Sequence, residues 1–200
     1  MENAEEGKGI GDVWTLDGGS QGSVSPRQPP KRRQIANPEN RRDAREWAME
    51  ILFAADVNRP ENGIDAAIAD FWEMRADHGM ADPKEKLQQM AESIVRGVWE
   101  NRDQIDARIS GYLENWTFDR IGTLDRAVLR MAIFELFHSN ETPPVVVVNE
   151  AVDIAKYYST RNSGRFVNGI LNRAMRDVDR PLRDAEMPEW LRRKKAKKGL

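Results

Sequence analysis

Between Leu124 and Phe137 the chain has almost no polar side. Leu124, Ala127, Val128, Leu129, Met131, Ala132, Ile133, Phe134, Leu136 and Phe137 cover nearly the whole circumference of a helix. A helix that is apolar all round has to be surrounded. This one is well short of the roughly 20 residues that cross a bilayer, so it predicts the buried centre of a helical protein. Arg126, Arg130 and Glu135 must then take its few exposed or paired positions.

Such a centre needs amphipathic neighbours, and the chain supplies them. From Arg41, the residues Ala44, Trp47, Ala48, Ile51, Leu52 and Ala55 recur at helical spacing until Asn58-Arg59-Pro60 and Asn62-Gly63 break the pattern. Ile64, Ala67, Ile68, Phe71 and Trp72 predict a second helix ending near His78-Gly79. Asp82-Pro83 reads as the N-cap and first residue of a third, with the stripe Leu87, Met90, Ala91, Ile94, Val95 and Val98. Ile105, Ile109, Tyr112, Leu113 and Trp116 mark a fourth. The run Val145–Val148 has strand propensity, but one strand without a partner has nowhere to go in a helical chain. Proline suits the first turn of a helix, so Pro143–Tyr158 is expected to be one helix. After a polar turn over Ser159–Gly164, the residues Phe166, Val167, Ile170, Leu171, Ala174 and Val178 predict the last.

The ends of the chain read differently. Residues 1–40 hold six of the 14 glycines and four of the 10 prolines, with few branched apolar residues, and are expected to be disordered. Residues 181–200 form a basic tail, which leaves 41–180 as the folded domain. The net charge of −2 conceals an uneven distribution: 190–200 carry six basic residues and no acid, 27–45 carry seven basic and two acidic residues, and 46–189 are left at −9. An acidic body with basic edges predicts local contact with a polyanion.

Several classes of function find no support. There is no cysteine, and the two histidines, His78 and His138, lie far apart, so neither a metal nor another cofactor is expected. Gly7-Lys8-Gly9-Ile10-Gly11 lacks the preceding strand and following helix of a phosphate loop. No nucleophile elbow or Walker loop is present, and the expectation is a protein that is not an enzyme and has no small-molecule substrate. Asp56, Glu114, Asp119, Asp125 and Asp153 read as solvated or capping carboxylates, whereas Glu135 and Glu150 lie in apolar stretches that suggest ion pairs with arginine. With no apolar run long enough for a membrane and no secretory leader, the cytoplasm is the expected location.

The first helix carries the most specific chemistry. Arg41, Arg42 and Arg45 cluster in its opening turns, and Arg42, Arg45, Met49 and Phe53 are linked by steps of three and four. Cations followed by an aromatic on one face suit single-stranded RNA, the cations neutralising phosphates and the ring stacking a base. Arginines at a helix N-terminus oppose its dipole, so helix formation does not explain them. The alternative at this point is that Phe53 is core and the arginines are ordinary surface.

Arg41–Phe53 resembles the opening helix of the NusB transcription antitermination family, and Leu124–Leu136 is similar to its central helix. Pro144, Val148-Asn-Glu-Ala-Val-Asp-Ile-Ala-Lys156 and Ser163-Gly-Arg-Phe-Val-Asn-Gly-Ile-Leu171 resemble its C-terminal signature. The resemblance covers about residues 40–178 and implies an all-α fold of about seven helices in two packed subdomains. It implies binding of boxA-type single-stranded RNA in nascent ribosomal transcripts, together with NusE, a small-subunit ribosomal protein, and the RNA polymerase elongation complex. Carried over by position, the RNA-binding residues are Arg41, Arg42, Arg45 and Phe53 in the first helix, and Asn162, Ser163, Arg165 and Phe166 in the last motif. Arg126, Arg130 and Glu135 are the expected contacts for NusE, on exposed positions of the central helix. Asp43 departs from the family pattern, standing where a third basic residue is common, and Phe53 replaces a frequent tyrosine. Two other readings are a helical protein-binding scaffold without RNA, and a module like those at the N-terminus of ribosomal RNA cytosine methyltransferases. The latter enzymes use catalytic cysteines, which this chain lacks.

Overall fold

A computed structural model describes residues 40–179 of the chain; the expectations for 1–39 and for the basic tail lie outside these residues. The order of elements is α1 (Arg41–Asn58), α2 (Ile64–Asp77), α3 (Glu85–Glu100), α4 (Arg102–Gly111), α5 (Thr123–Phe137), α6 (Pro144–Tyr158) and α7 (Ser163–Ala174), with short 3-10 turns at Phe118–Arg120 and Met175–Asp177. No strand occurs among the described residues, and none of their helices is long and apolar enough to cross a membrane.

Local chemistry sets the helix ends. Asn40 caps α1 by accepting the Arg42 N–H at 2.8 Å, and the Asp43 carboxylate accepts the Asn40 N–H at 3.2 Å, closing a capping box. Asp43 thus has a structural task at the position where a third basic residue was expected from the resemblance. At the other end Arg59 takes the left-handed conformation, φ 47°, and donates its N–H to the Ala55 carbonyl at 3.0 Å, with Pro60 preventing continuation. The valine run is helical, with Pro144 in the first turn and Val147 and Val148 facing the core. Several boundaries shift from expectation: α3 begins at Glu85 rather than Pro83, α4 ends at Gly111, short of Tyr112, Leu113 and Trp116, α6 begins at Pro144 rather than Pro143, and α7 runs from Ser163, inside the expected turn, to Ala174, short of Val178.

Helix α5 is the centre, in contact with α1, α3, α4, α6 and α7. Helix α1 packs on α3 and α5, α6 packs on α5 and α7, and one continuous core runs through all seven helices. At the α3–α5 crossing a Cβ on Gly97 would lie 2.1 Å from the Cζ of Phe134, so glycine makes room for the tip of that ring against α3. Arg75 lies buried with its guanidinium 5.0 Å from the Trp47 ring centre and within 6 Å of Phe71 and Trp72, whose faces partly replace lost hydration.

Candidate nucleic-acid interface

Helix α1 sorts its cations by which neighbour they meet. Arg45 turns inward: its Nε and Nη2 donate to the two carboxylate oxygens of Glu135 at 2.7 Å each, and Nη2 also donates to Thr142 Oγ1 at 3.1 Å. Arg45 is 2% exposed and Glu135 3%. Arg45 is therefore a core residue that ties α1 to α5, which corrects its expected place on an RNA-facing surface. Met49 is buried as well, so the expected line Arg42–Arg45–Met49–Phe53 does not form one exposed face.

Two members of that line do reach solvent. Arg42 is partly exposed and Phe53 is 37% exposed. They are eleven residues apart, about three turns, so they share an azimuth roughly 16 Å apart along the axis. Arg41 is also partly exposed and donates from Nη2 to Glu141 at 2.8 Å. Burial disfavours a charged Arg42, but its bond to Glu46 at 2.8 Å, with Glu150 and Asp153 farther off at 4.0 Å, holds its pKa above the ordinary value. Arg42 is always a cation in this setting.

The C-terminal motif lies beside this face. Tyr158, the last residue of α6, donates its hydroxyl to Glu46 at 2.9 Å, so the α6–α7 turn is held next to Arg42. Burial, and then the Glu46 carboxylate, push the Tyr158 phenol far up, so it stays protonated as a donor. Arg165 and Asn162 are exposed, and the Asn162 side chain makes no cap bond. Ser163 is instead 1% exposed. Its hydroxyl donates to Asp125 at 2.9 Å, receives the Thr160 N–H at 3.2 Å and lies 2.9 Å from the Ser159 hydroxyl. Ser163 therefore fastens the start of α7 to α5 and is not offered to a ligand, a second correction. Phe166 is half-buried against the core. One exposed cation of this turn, Arg161, escaped the sequence reasoning, although its place beside Asn162 in a polar turn was a usable signal. Neither Arg161 nor Arg165 makes an ion pair among the described residues.

The expected NusE contacts also need revision. Glu135 is spent on Arg45, and Arg130 is buried between Asp106 and Asp56, donating to Asp106 at 2.7 Å through both Nε and Nη2. Neither occupies an exposed position. Arg126 is partly buried and binds Asp56 through its Nε at 2.8 Å. Asp56, expected to be a solvated carboxylate, proves to be a buried acceptor for Arg102, Arg126 and Arg130. Burial raises its pKa, but Arg130 and Arg126 outweigh that and hold the carboxyl below the ordinary 3.8.

Fold and face define a class: an all-helical module carrying a cation-and-aromatic surface of the kind that takes nucleic acid. The NusB family model matches residues 42–176. The transcription antitermination protein NusB of Symbiobacterium thermophilum is 39% identical over 139 residues, spanning 70% of this chain and 91% of that protein. NusB of Bacillus subtilis is 37% identical, spanning 70% and 97%. Among solved structures, T. maritima NusB aligns with a TM-score of 0.62 at 35% identity over 70% of this chain and 94% of its own. A chain from antitermination factors NusB and NusE in complex with dsRNA aligns with a TM-score of 0.59 at 25% identity over 68% and 96%. The chain belongs to the NusB family.

Proposed function

We propose that this protein is a cytoplasmic transcription antitermination factor that acts by binding, not catalysis. It takes boxA-type single-stranded RNA of nascent ribosomal transcripts across the start of α1 and the α6–α7 turn. NusE is its protein partner, and the RNA polymerase elongation complex is where the assembly acts. The observation that carries the reading is the juxtaposition of Arg42 and Phe53 on α1 with the cationic turn fastened beside them through Tyr158 and Glu46. Phosphates meet Arg41, Arg42, Arg161 and Arg165, bases stack on Phe53, and Asn162 supplies hydrogen bonds. Phe166 contributes its exposed edge, and Arg45 and Ser163 position the two elements. Likeness to chains named as antitermination proteins, and to one assembled with NusE and dsRNA, supports the reading.

NusE docks on the acidic body, where complementary charge speeds association with a basic ribosomal protein. Arg130 and Glu135 shape that body from within, and Arg126, held by Asp56, is not counted among its contacts.

The test is a titration of fluorescent boxA-type RNA, single-stranded and as a duplex, onto the protein alone and onto its mixture with NusE. Tighter binding of the single strand, strengthened by NusE, is expected. Equal binding of a scrambled RNA in the presence of NusE would refute the boxA assignment.

A further inference from the structure

The last turn of α1, beyond Phe53, opens into a cleft of about 490 Å³. Its floor is Asp56, on which three guanidinium groups converge: Arg102 Nη2 at 2.9 Å, Arg130 Nη1 at 3.0 Å and Arg126 Nε at 2.8 Å. Arg130 is fully used, because its other two nitrogens hold Asp106. The Nη1 groups of Arg102 and Arg126 make no hydrogen bond among the described residues. Arg59 lines the same cleft, is exposed and makes no ion pair among the described residues. Asp56 and Asp106 are already held by arginine, and the third carboxylate, Asp119, is exposed. Trp99 and Phe118 line the cleft as well, each with a guanidinium over its ring, Arg102 at 5.4 Å from Trp99 and Arg126 at 5.7 Å from Phe118.

Arg102 and Arg126 are held in place by Asp56 before any ligand arrives, and Arg59 is the exposed cation beside them. Preorganised cationic donors with unused N–H groups fit an oxyanion, and phosphate is the one that arginine forks match best. The volume is within the range of small-ligand clefts. Continuity selects the source of the phosphate. Arg59, the residue that caps α1, lies six residues past Phe53, roughly 9 Å along the axis and about a third of a turn around it, so a strand stacked on Phe53 reaches the mouth by turning around the end of α1.

We propose that this cleft is a second nucleotide site, in which one phosphate of the RNA strand leaving Phe53 is held by Arg59, Arg102 and Arg126. The proposal rests on the RNA reading above and extends it to a part of the surface outside the arginine-rich start of α1. The guanidinium groups over the Trp99 and Phe118 rings place cations beside the adjoining base.

The experiment uses single-stranded boxA-type RNAs lengthened one nucleotide at a time at either end, bound to the full chain over a range of salt. At one end, the added nucleotide that reaches the cleft raises affinity roughly tenfold and steepens the salt slope by about 0.7. Arg59→Gly removes a cation while suiting the left-handed backbone at that position, φ 47°, so its fold is preserved. Arg102→Gln leaves Asp56 with Arg126 and Arg130. Both variants should bind the short RNA as the native chain does and lose the increment, and Arg102→Lys should recover part of it. No increment in the native chain, or one that survives both substitutions, overturns the proposal. So does loss of NusE affinity with RNA binding unchanged, which would make the cleft a protein-binding site. If no RNA of any length binds, the RNA reading itself fails and the cleft's role with it.

Discussion

Arg45 and Glu135, ninety residues apart in sequence, form a two-bond ion pair that is almost wholly enclosed. Removing one partner strands the other charge in the core, at a cost of about 3–5 kcal/mol. Arg45→Ala should therefore unfold at markedly lower urea concentration. Its salt slope for RNA, measured where it is still folded, should match that of the native chain. A stable Arg45→Ala variant with a flatter slope would return Arg45 to the RNA surface.

The accessible arginines give a quantitative expectation. If Arg41, Arg42, Arg161 and Arg165 each neutralise one phosphate of a short RNA, log K should fall with log salt with a slope of about −3. Arg42→Ala should flatten that slope by about 0.7 and weaken binding to most sequences alike.

The two aromatic candidates should behave differently. Phe53→Ala should melt almost normally and lose on the order of 1–3 kcal/mol of RNA affinity with little change in slope. Phe166 packs against the core, so Phe166→Ala should lower the melting temperature as well. A Phe166→Ala variant that binds at full affinity once folded would remove Phe166 from the RNA surface.

Asp56 predicts an acid limb in the stability curve. Its folded pKa lies below the ordinary 3.8, so the unfolded chain takes up a proton first as pH falls. The stabilisation is complete above the unfolded value and is lost as pH drops through it toward the lower folded value. Asp56→Asn should be less stable at neutral pH and flatter as pH falls below about 5. An unchanged acid limb in urea titrations at stepped pH would contradict the three-arginine assignment.

Gly97 should be intolerant of branching. Gly97→Val places methyl groups where the Phe134 ring sits and should cost about 1–3 kcal/mol. Combined with Phe134→Ala the penalties should not add, because the second change removes the clash.

Much of this was readable along the chain. The circumferential apolarity of α5 marks it as central, and Pro144 overrules the strand propensity of the valines because a helix start needs no N–H there. The end of α1 follows from Asn58-Arg59-Pro60, whereas its start is set by the Asn40–Asp43 capping box, which the family's pattern masks because Asp43 reads there only as a departure. Periodicity could not say which arginines of α1 are free. Arg42 and Arg45 are both cations at the same helix end, and only Glu135, from a distant helix, decides that Arg45 is interior. Asp56 was misread for the same reason. Its spacing of four from buried Leu52 hinted at an inward position, but the arginines that make such burial tolerable come from α4 and α5.

The hydrogen bond from Tyr158 to Glu46 spans 112 residues. During synthesis α1 leaves the ribosome long before the end of α6 exists. At 5–20 residues per second, Glu46 waits on the order of ten seconds for its partner. The surface built from α1 and the α6–α7 turn therefore comes into being only when most of the chain has been made, so a ribosome-bound fragment ending before Tyr158 displays the arginines without the surface that organises them.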